Sequence, residues 1–345
     1  MLCGFRPTSR WAVLSLTLLA ASSFTLKASD PGLPIPNTSE ASDQKTGSLL
    51  IYNLFTSSLT PATQDTRISI TNSNPNQAAF VRLFFVDGST GFVSDQNVCL
   101  TAQQTTTFKA SAVRPGQTGY LVALAIDGVL GQPAQNDFLS GHADVNLATG
   151  QSGTLAAVAY AKQNNTNVVS TDGSLSAIFF DGLNLAGSYN RTARVLQLPS
   201  IRSHADGSTF MILNRIGGSL AGSAATIGTF DTVLFNDVET SAGASTLATT
   251  PQLRVELSDA FPATAPNFST MIPAGRTGWM KMFSQSDVGY SGSVLYMSTT
   301  TTHSGNGNGG KTTTTTTPDG GANMQALTLS QAANYTLPNR PPTCN

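Results

Sequence analysis

Apolar and polar positions alternate in short bursts along most of this chain, and the bursts predict strands. Residues 48–55, 67–71, 79–86, 105–110, 119–126 and 154–161 are rich in Val, Ile, Phe, Tyr and Thr and are bounded by Gly, Asn, Asp or Pro. Such residues suit a pleated, half-buried surface. The texture returns at 208–213, 229–235, 252–257, 278–283, 293–300 and 324–329. Between bursts, residues 72–76 and the Asp87-Gly88 pair supply the side chains that close turns. No stretch carries an apolar stripe at helical spacing. The expected fold class is all-β.

The pattern also repeats. Residues 113–124 align with 272–283 through a shared Gly-x-Thr-Gly-aromatic core, at Gly116 to Tyr120 and Gly275 to Trp279. Three further landmarks keep the same order: 66–72 with 208–214, 83–87 with 234–237, and 150–155 with 289–294. Short strands with frequent turns, present twice, predict two tandem β-sandwich domains of immunoglobulin-like or jelly-roll-like kind. The first would span 47–165 and the second 190–338. Residues 166–189 would be a linker or an edge strand, and 339–345 a C-terminal tail.

Residues 298–322 break the texture, with two Thr runs around a Gly-Asn tract. A floppy polar loop is the expectation there; an exposed hairpin and a glycosylated stalk are the alternatives.

The start of the chain adds a location. Arg6 and Arg10 precede an apolar run over 11–21, and small residues follow. This predicts a cleaved secretory signal over 1–28, with a flexible leader over 29–46. The run is shorter than the roughly 20 residues a membrane span needs, and no second long apolar run occurs. Charged residues make up only 11% of the chain, against about 25% in an average soluble protein. Its surface must therefore be largely Thr, Ser, Asn, Gln and Gly. Three basic residues and no acid fall in the signal, so the exported part carries an excess of four acids. With no basic patch, nucleic acid is not an expected partner. Cys99 and Cys344 remain after the signal is removed, and an oxidising compartment favours their pairing as a disulfide.

Candidate chemistry is sparse. His142, His204 and His303 are the only histidines; the first two sit in sequences that read as polar turns and the third in the Thr/Gly-rich segment. There is no His-Glu-x-x-His, no paired Cys-x-x-Cys and no Gly-x-Ser-x-Gly elbow. No cofactor, metal or catalytic residue is expected. Beyond the signal and leader the glutamates are Glu239 and Glu256 alone, which leaves little for a carboxylate pair. The remaining candidates are ligand-stacking aromatics: Trp279, Tyr120 and Tyr290, with Phe92. The matched positions of Tyr120 and Trp279 also suit a plug in each core.

Residues 47–57, 67–72, 83–88 and 98–100, with the closing Leu327-Thr-Leu, Tyr335-Thr-Leu-Pro and Pro342-Thr-Cys344, resemble a group of secreted bacterial all-β proteins of no assigned function. The resemblance implies an exported bacterial protein and brings no site residues. The expected role is adhesive, scaffolding or binding, at the cell surface or outside it, with a glycan or another surface protein as partner. A carbohydrate-binding protein is the first alternative and a secreted hydrolase the second.

Overall fold

The chain folds as strands, nearly all paired antiparallel, in an order laid down twice. The first run is β1 (Leu49–Thr56), β2 (Asp65–Asn72), β3 (Ala79–Asp87), β4 (Val93–Leu100), β5 (Thr105–Lys109), a single helical turn α1 (Ala110–Val113), β6 (Thr118–Ile126), β7 (Leu139–Asn146), β8 (Ser152–Ala156) and β9 (Val158–Tyr160). Two short strands follow, β10 (Val168–Val169) and β11 (Leu175–Phe179). The second run is β12 (Ala193–Arg202), β13 (Gly207–Ile216), β14 (Gly218–Ser219), β15 (Gly228–Asn236), β16 (Ser241–Ala248), β17 (Gln252–Glu256), the turn α2 (Phe268–Met271), β18 (Thr277–Phe283), β19 (Gly289–Ser304), β20 (Lys311–Asn323), β21 (Gln325–Leu329) and β22 (Asn334–Pro338). The structure, a computed structural model, describes residues 40–60, 63–304 and 311–343, without the side chains of 303, 304, 311 and 312. The expected signal, most of the leader, the Gly-Asn tract and Cys344 lie outside the described residues.

Strand pairing shows the repetition directly. In the first run, a sheet ordered β4-β3-β6-β1-β9 faces one ordered β5-β2-β7-β8. Between them lie Leu50, Val81, Leu83, Phe85 and Leu121 from one layer and Ile68, Ile70 and Leu139 from the other. In the second run, β16-β15-β18-β12-β21 faces β17-β13-β19-β20. Leu196, Phe230, Leu234, Met280 and Met282 there meet Met211, Leu213 and Val294. The two layers touch at one corner, the Ala193–Tyr290 pair. Strand for strand, the second order reproduces the first. A register shift between Tyr52 and Phe55 in β1 returns between Leu198 and Ile201 in β12.

The shared Gly-x-Thr-Gly motif has a matching cause in each run. Gly116 and Gly275 both take φ 76°, in the left-handed region where a side chain is disfavoured. A Cβ on Gly119 would collide with the Val86 carbonyl, and one on Gly278 with the Phe235 carbonyl. Val86 and Phe235 are themselves matched through their partners Tyr120 and Trp279. The parallel drawn between 150–155 and 289–294 does not hold. Residues 152–156 form β8, whose counterpart is β20, whereas 289–294 open β19, the counterpart of β7.

A third sheet, β10-β11-β22-β14, is built from three distant parts of the chain. Leu175–Phe179 is an interior strand of it, between β10 and β22. This sheet covers the outer face of β4-β3-β6-β1-β9. Ile178, Phe180, Tyr335 and Leu337 bury Leu49, Ile51, Phe84, Val86, Tyr120 and Val122. Phe180 meets Tyr160 and Tyr335 edge-on, at 5.0 and 5.8 Å between centroids. With both faces covered, β1 is buried along its whole length and shows no alternation. The tail continues past β22 to Arg82, which is buried and donates from Nη1 to the Pro338 carbonyl and from Nη2 to the Arg340 carbonyl.

The repeats are joined by a polar knot. The β1 irregularity places Asn53 between them. Its Nδ2 donates to the Gly292 carbonyl, Ser293 Oγ and Asn323 Oδ1, while Asn214 Nδ2 and Ser291 Oγ donate to its Oδ1. Gln252 Nε2 donates to the Asn53 carbonyl and to Asn214 Oδ1. Ile212 and Leu295 of the second run complete the first core. The described residues accordingly belong to one compact unit.

The segment over 298–322 is a hairpin rather than the expected loop. β19 and β20 pair from Ser293↔Asn323 out to Ser304↔Lys311, with Thr299↔Thr316 to Thr302↔Thr313 as a ladder. β-branched threonines favour extended backbone strongly enough to carry the strands beyond the body. β13 accompanies β19 only as far as Ser298.

Candidate functional site

The outer face of the second sandwich is where the two repeats part. Met280 and Met282 point into the core, so Trp279, Lys281 and Phe283 of β18 point the other way. By the same alternation Asp231, Val233 and Phe235 of β15 share that face, in register opposite Phe283, Lys281 and Trp279 respectively. The matching positions of the first sandwich are Arg82, Phe84 and Val86 opposite Leu124, Val122 and Tyr120, all buried beneath the third sheet. In the second sandwich all six outward residues are only partly buried. The Trp279 and Phe235 rings stack 4.1 Å apart and 6° from parallel, and Lys281 Nζ lies 6.0 Å from the centre of the Phe283 ring. From Trp279 to Phe283 the strand advances about 13 Å. The face is therefore a strip of aromatic rings with Lys281 and Val233 between them and Asp231 beside Phe283.

At the Phe283 end the strip runs into an open cleft of ≈ 440 Å³ between the two layers, lined by Arg215, Thr229, Asp231, Ser284, Gln285 and Val288. Arg215 is partly buried, and desolvation lowers its pKa. Asp231 accepts from Gln285 Nε2 at 3.2 Å and from Ser245 Oγ. Two further open clefts are present. One of ≈ 430 Å³ lies by residues 40–44 and Arg191, and one of ≈ 520 Å³ lies by Asp65, Arg67, Lys109 and Asp144.

The aromatics singled out in the sequence divide sharply. Tyr120 is fully buried, with its hydroxyl donating to the Arg215 carbonyl at 3.3 Å and lying 3.4 Å from Tyr335 Oη. Desolvation pushes its pKa up to about 12. Tyr290 is 2% exposed within the second core. Tyr120 offers no ring to a ligand, because it lies beneath the third sheet; Tyr290 is among the residues lining the cleft by residues 40–44, with little of its surface open. Trp279, matched to Tyr120, stays on the surface because its face has no such cover. Phe92 is 58% exposed but stands apart, bridging to Ser223. Phe235, Phe283 and Arg215 were not singled out. The alternation of Trp279, Lys281 and Phe283 is the available signal for Phe283, and that of Asp231, Val233 and Phe235 for Phe235.

Cys99 is disulfide-bonded. His142 lies within β7 and is exposed, not in a turn. His204 is in a turn with Nδ1 3.8 Å from Glu256 Oε1, and both side chains are about half exposed. Among the described residues no three His, Cys, Asp or Glu side chains group so as to hold a metal ion, and no helix is long and apolar enough to cross a membrane. No family model, curated protein or solved structure matches the chain.

Proposed function

We propose that this chain is an exported, non-catalytic binding protein of the cell surface or extracellular space, and that its open aromatic strip binds a glycan. The carrying observation is the contrast between the repeats. One fold is used twice; in one copy the outer sheet face is sealed by a third sheet, and in the other it presents Trp279 stacked on Phe235 beside Phe283. Sugars offer flat C–H faces to aromatic rings and hydroxyls to polar groups, and the strip supplies both partners along a length that spans two to three sugar rings. The exposed His142 of β7 and His204 of a separate turn support a binding role over a hydrolytic one.

The test is glycan-array binding of the mature protein followed by titration of the best ligand. Trp279→Ala weakens binding about 5- to 30-fold, the loss of 1–2 kcal/mol expected for a contact ring, while the thermal midpoint stays within a few degrees. Unchanged affinity in Trp279→Ala refutes the assignment of the strip.

A further inference from the structure

In the cleft at the end of the strip, one lining side chain has hydrogen-bonding capacity to spare. Arg215 carries five N–H donors, yet among the described residues its guanidinium makes a single long hydrogen bond, Nη1 to the Gly289 carbonyl at 3.5 Å. Arg194, which donates from Nη2 to the Gln285 carbonyl at 3.2 Å, keeps a buried Nε with no partner. The carboxylates nearby are already engaged: Asp231 by Gln285 and Ser245, and Asp287 by the Gln331 amide at 3.2 Å. What the Arg215 guanidinium lacks is acceptors. Buried donors left unpaired cost about 1–3 kcal/mol each, and an arginine fork with spare N–H groups matches a planar or tetrahedral oxyanion.

We infer that the cleft at Arg215 receives the oxyanion of an acidic sugar, a carboxylate or a sulfate ester, as one end of the glycan lying along the strip. This rests on the glycan reading of the strip for its ligand, though not for its chemistry. Arg215 supplies the charge-assisted hydrogen bonds, with Ser284 beside it. Asp231 at the rim is left to face a sugar hydroxyl. A half-buried cation gaining a counter-charge also recovers part of its desolvation cost.

The experiment titrates the folded mature chain with glucuronate, glucose 6-sulfate and methyl glucoside, reading thermal shift and amide chemical shifts. Saturable binding of either acid, at least about tenfold tighter than the neutral glucoside, is expected, and the two acids distinguish carboxylate from sulfate. Arg215→Gln removes that preference; Arg215→Lys keeps the charge without the fork and retains part of it. The acid preference in the unaltered protein also falls as salt is raised, a readout that needs no variant to fold. Binding of neither acid, equal binding of the neutral glucoside, or an unchanged preference in Arg215→Gln overturns the inference. Trp279→Ala separates the two ideas. It weakens longer glycans if the strip is the platform, and if it does not, the strip fails while the Arg215 result stands alone.

Discussion

Lys162 is among the largest fully buried side chains, and its ammonium is held by the Pro133 carbonyl at 3.0 Å and Asn167 Oδ1 at 2.7 Å. Burial pulls its pKa down from 10.5 to about 8, against the opposing charge of Asp137. Between those values the unfolded chain binds more protons than the folded one, so stability rises with pH; below about pH 8 the full penalty is present. Denaturation by urea at pH 7 to pH 9.5 is expected to show this rise, and Lys162→Met to flatten it. Above about pH 10 the buried tyrosines act in the opposite sense. Burial raises the pKa of Tyr52, Tyr120, Tyr160 and Tyr189, so the folded state holds their protons longer and stability falls as pH climbs. Asn53 is the second residue on which much rests. Asn53→Ala strips acceptors or donors from Asn214, Ser291 and Asn323 at once, and a loss of about 3 kcal/mol or more in the unfolding free energy is expected.

At the scale of elements, legibility followed local pattern. β1, β3, β6, β13, β15 and β18 stood out because their apolar residues are dense enough to read without a partner. β4, β7 and β16 did not; Val-Ser-Asp-Gln-Asn-Val-Cys-Leu and Ser-Ala-Gly-Ala-Ser-Thr-Leu-Ala carry no aromatic and few large apolar residues and are held by ladder bonds to β3 and β15. β12 was hidden by Pro199, which sits in its register shift, where a proline is tolerated. The threonine arm was the reverse case, with strand propensity overruling a loop-like composition. Beyond Thr299, whose amide donates to the Asp206 carbonyl, the described strand residues of the arm pair with each other, so excising residues 301–315 in favour of a short turn is expected to change the unfolding free energy by less than about 1 kcal/mol. A larger loss in chemical denaturation would show that the arm props up the body.

For the whole molecule, the third sheet is the feature that no local reading supplied. It assembles from β10 and β11, β14 and β22, and only the assembled chain decides that Tyr120 is core and Trp279 is surface. The same closure draws the tail to Arg82, on the strand where Phe80 lies opposite Cys99. We propose Cys344 as the partner of Cys99, and non-reducing peptide mapping is expected to recover the two in one fragment. The strip itself is best tested with its own fluorophore. The sequence has two tryptophans, Trp11 in the expected signal and Trp279, so a chain starting at Ser29 reports on Trp279 alone. Titrating that chain with its best array glycan is expected to shift the emission to the blue and protect it from acrylamide quenching, saturating at the binding affinity; saturable binding that leaves emission and quenching unchanged would contradict the account.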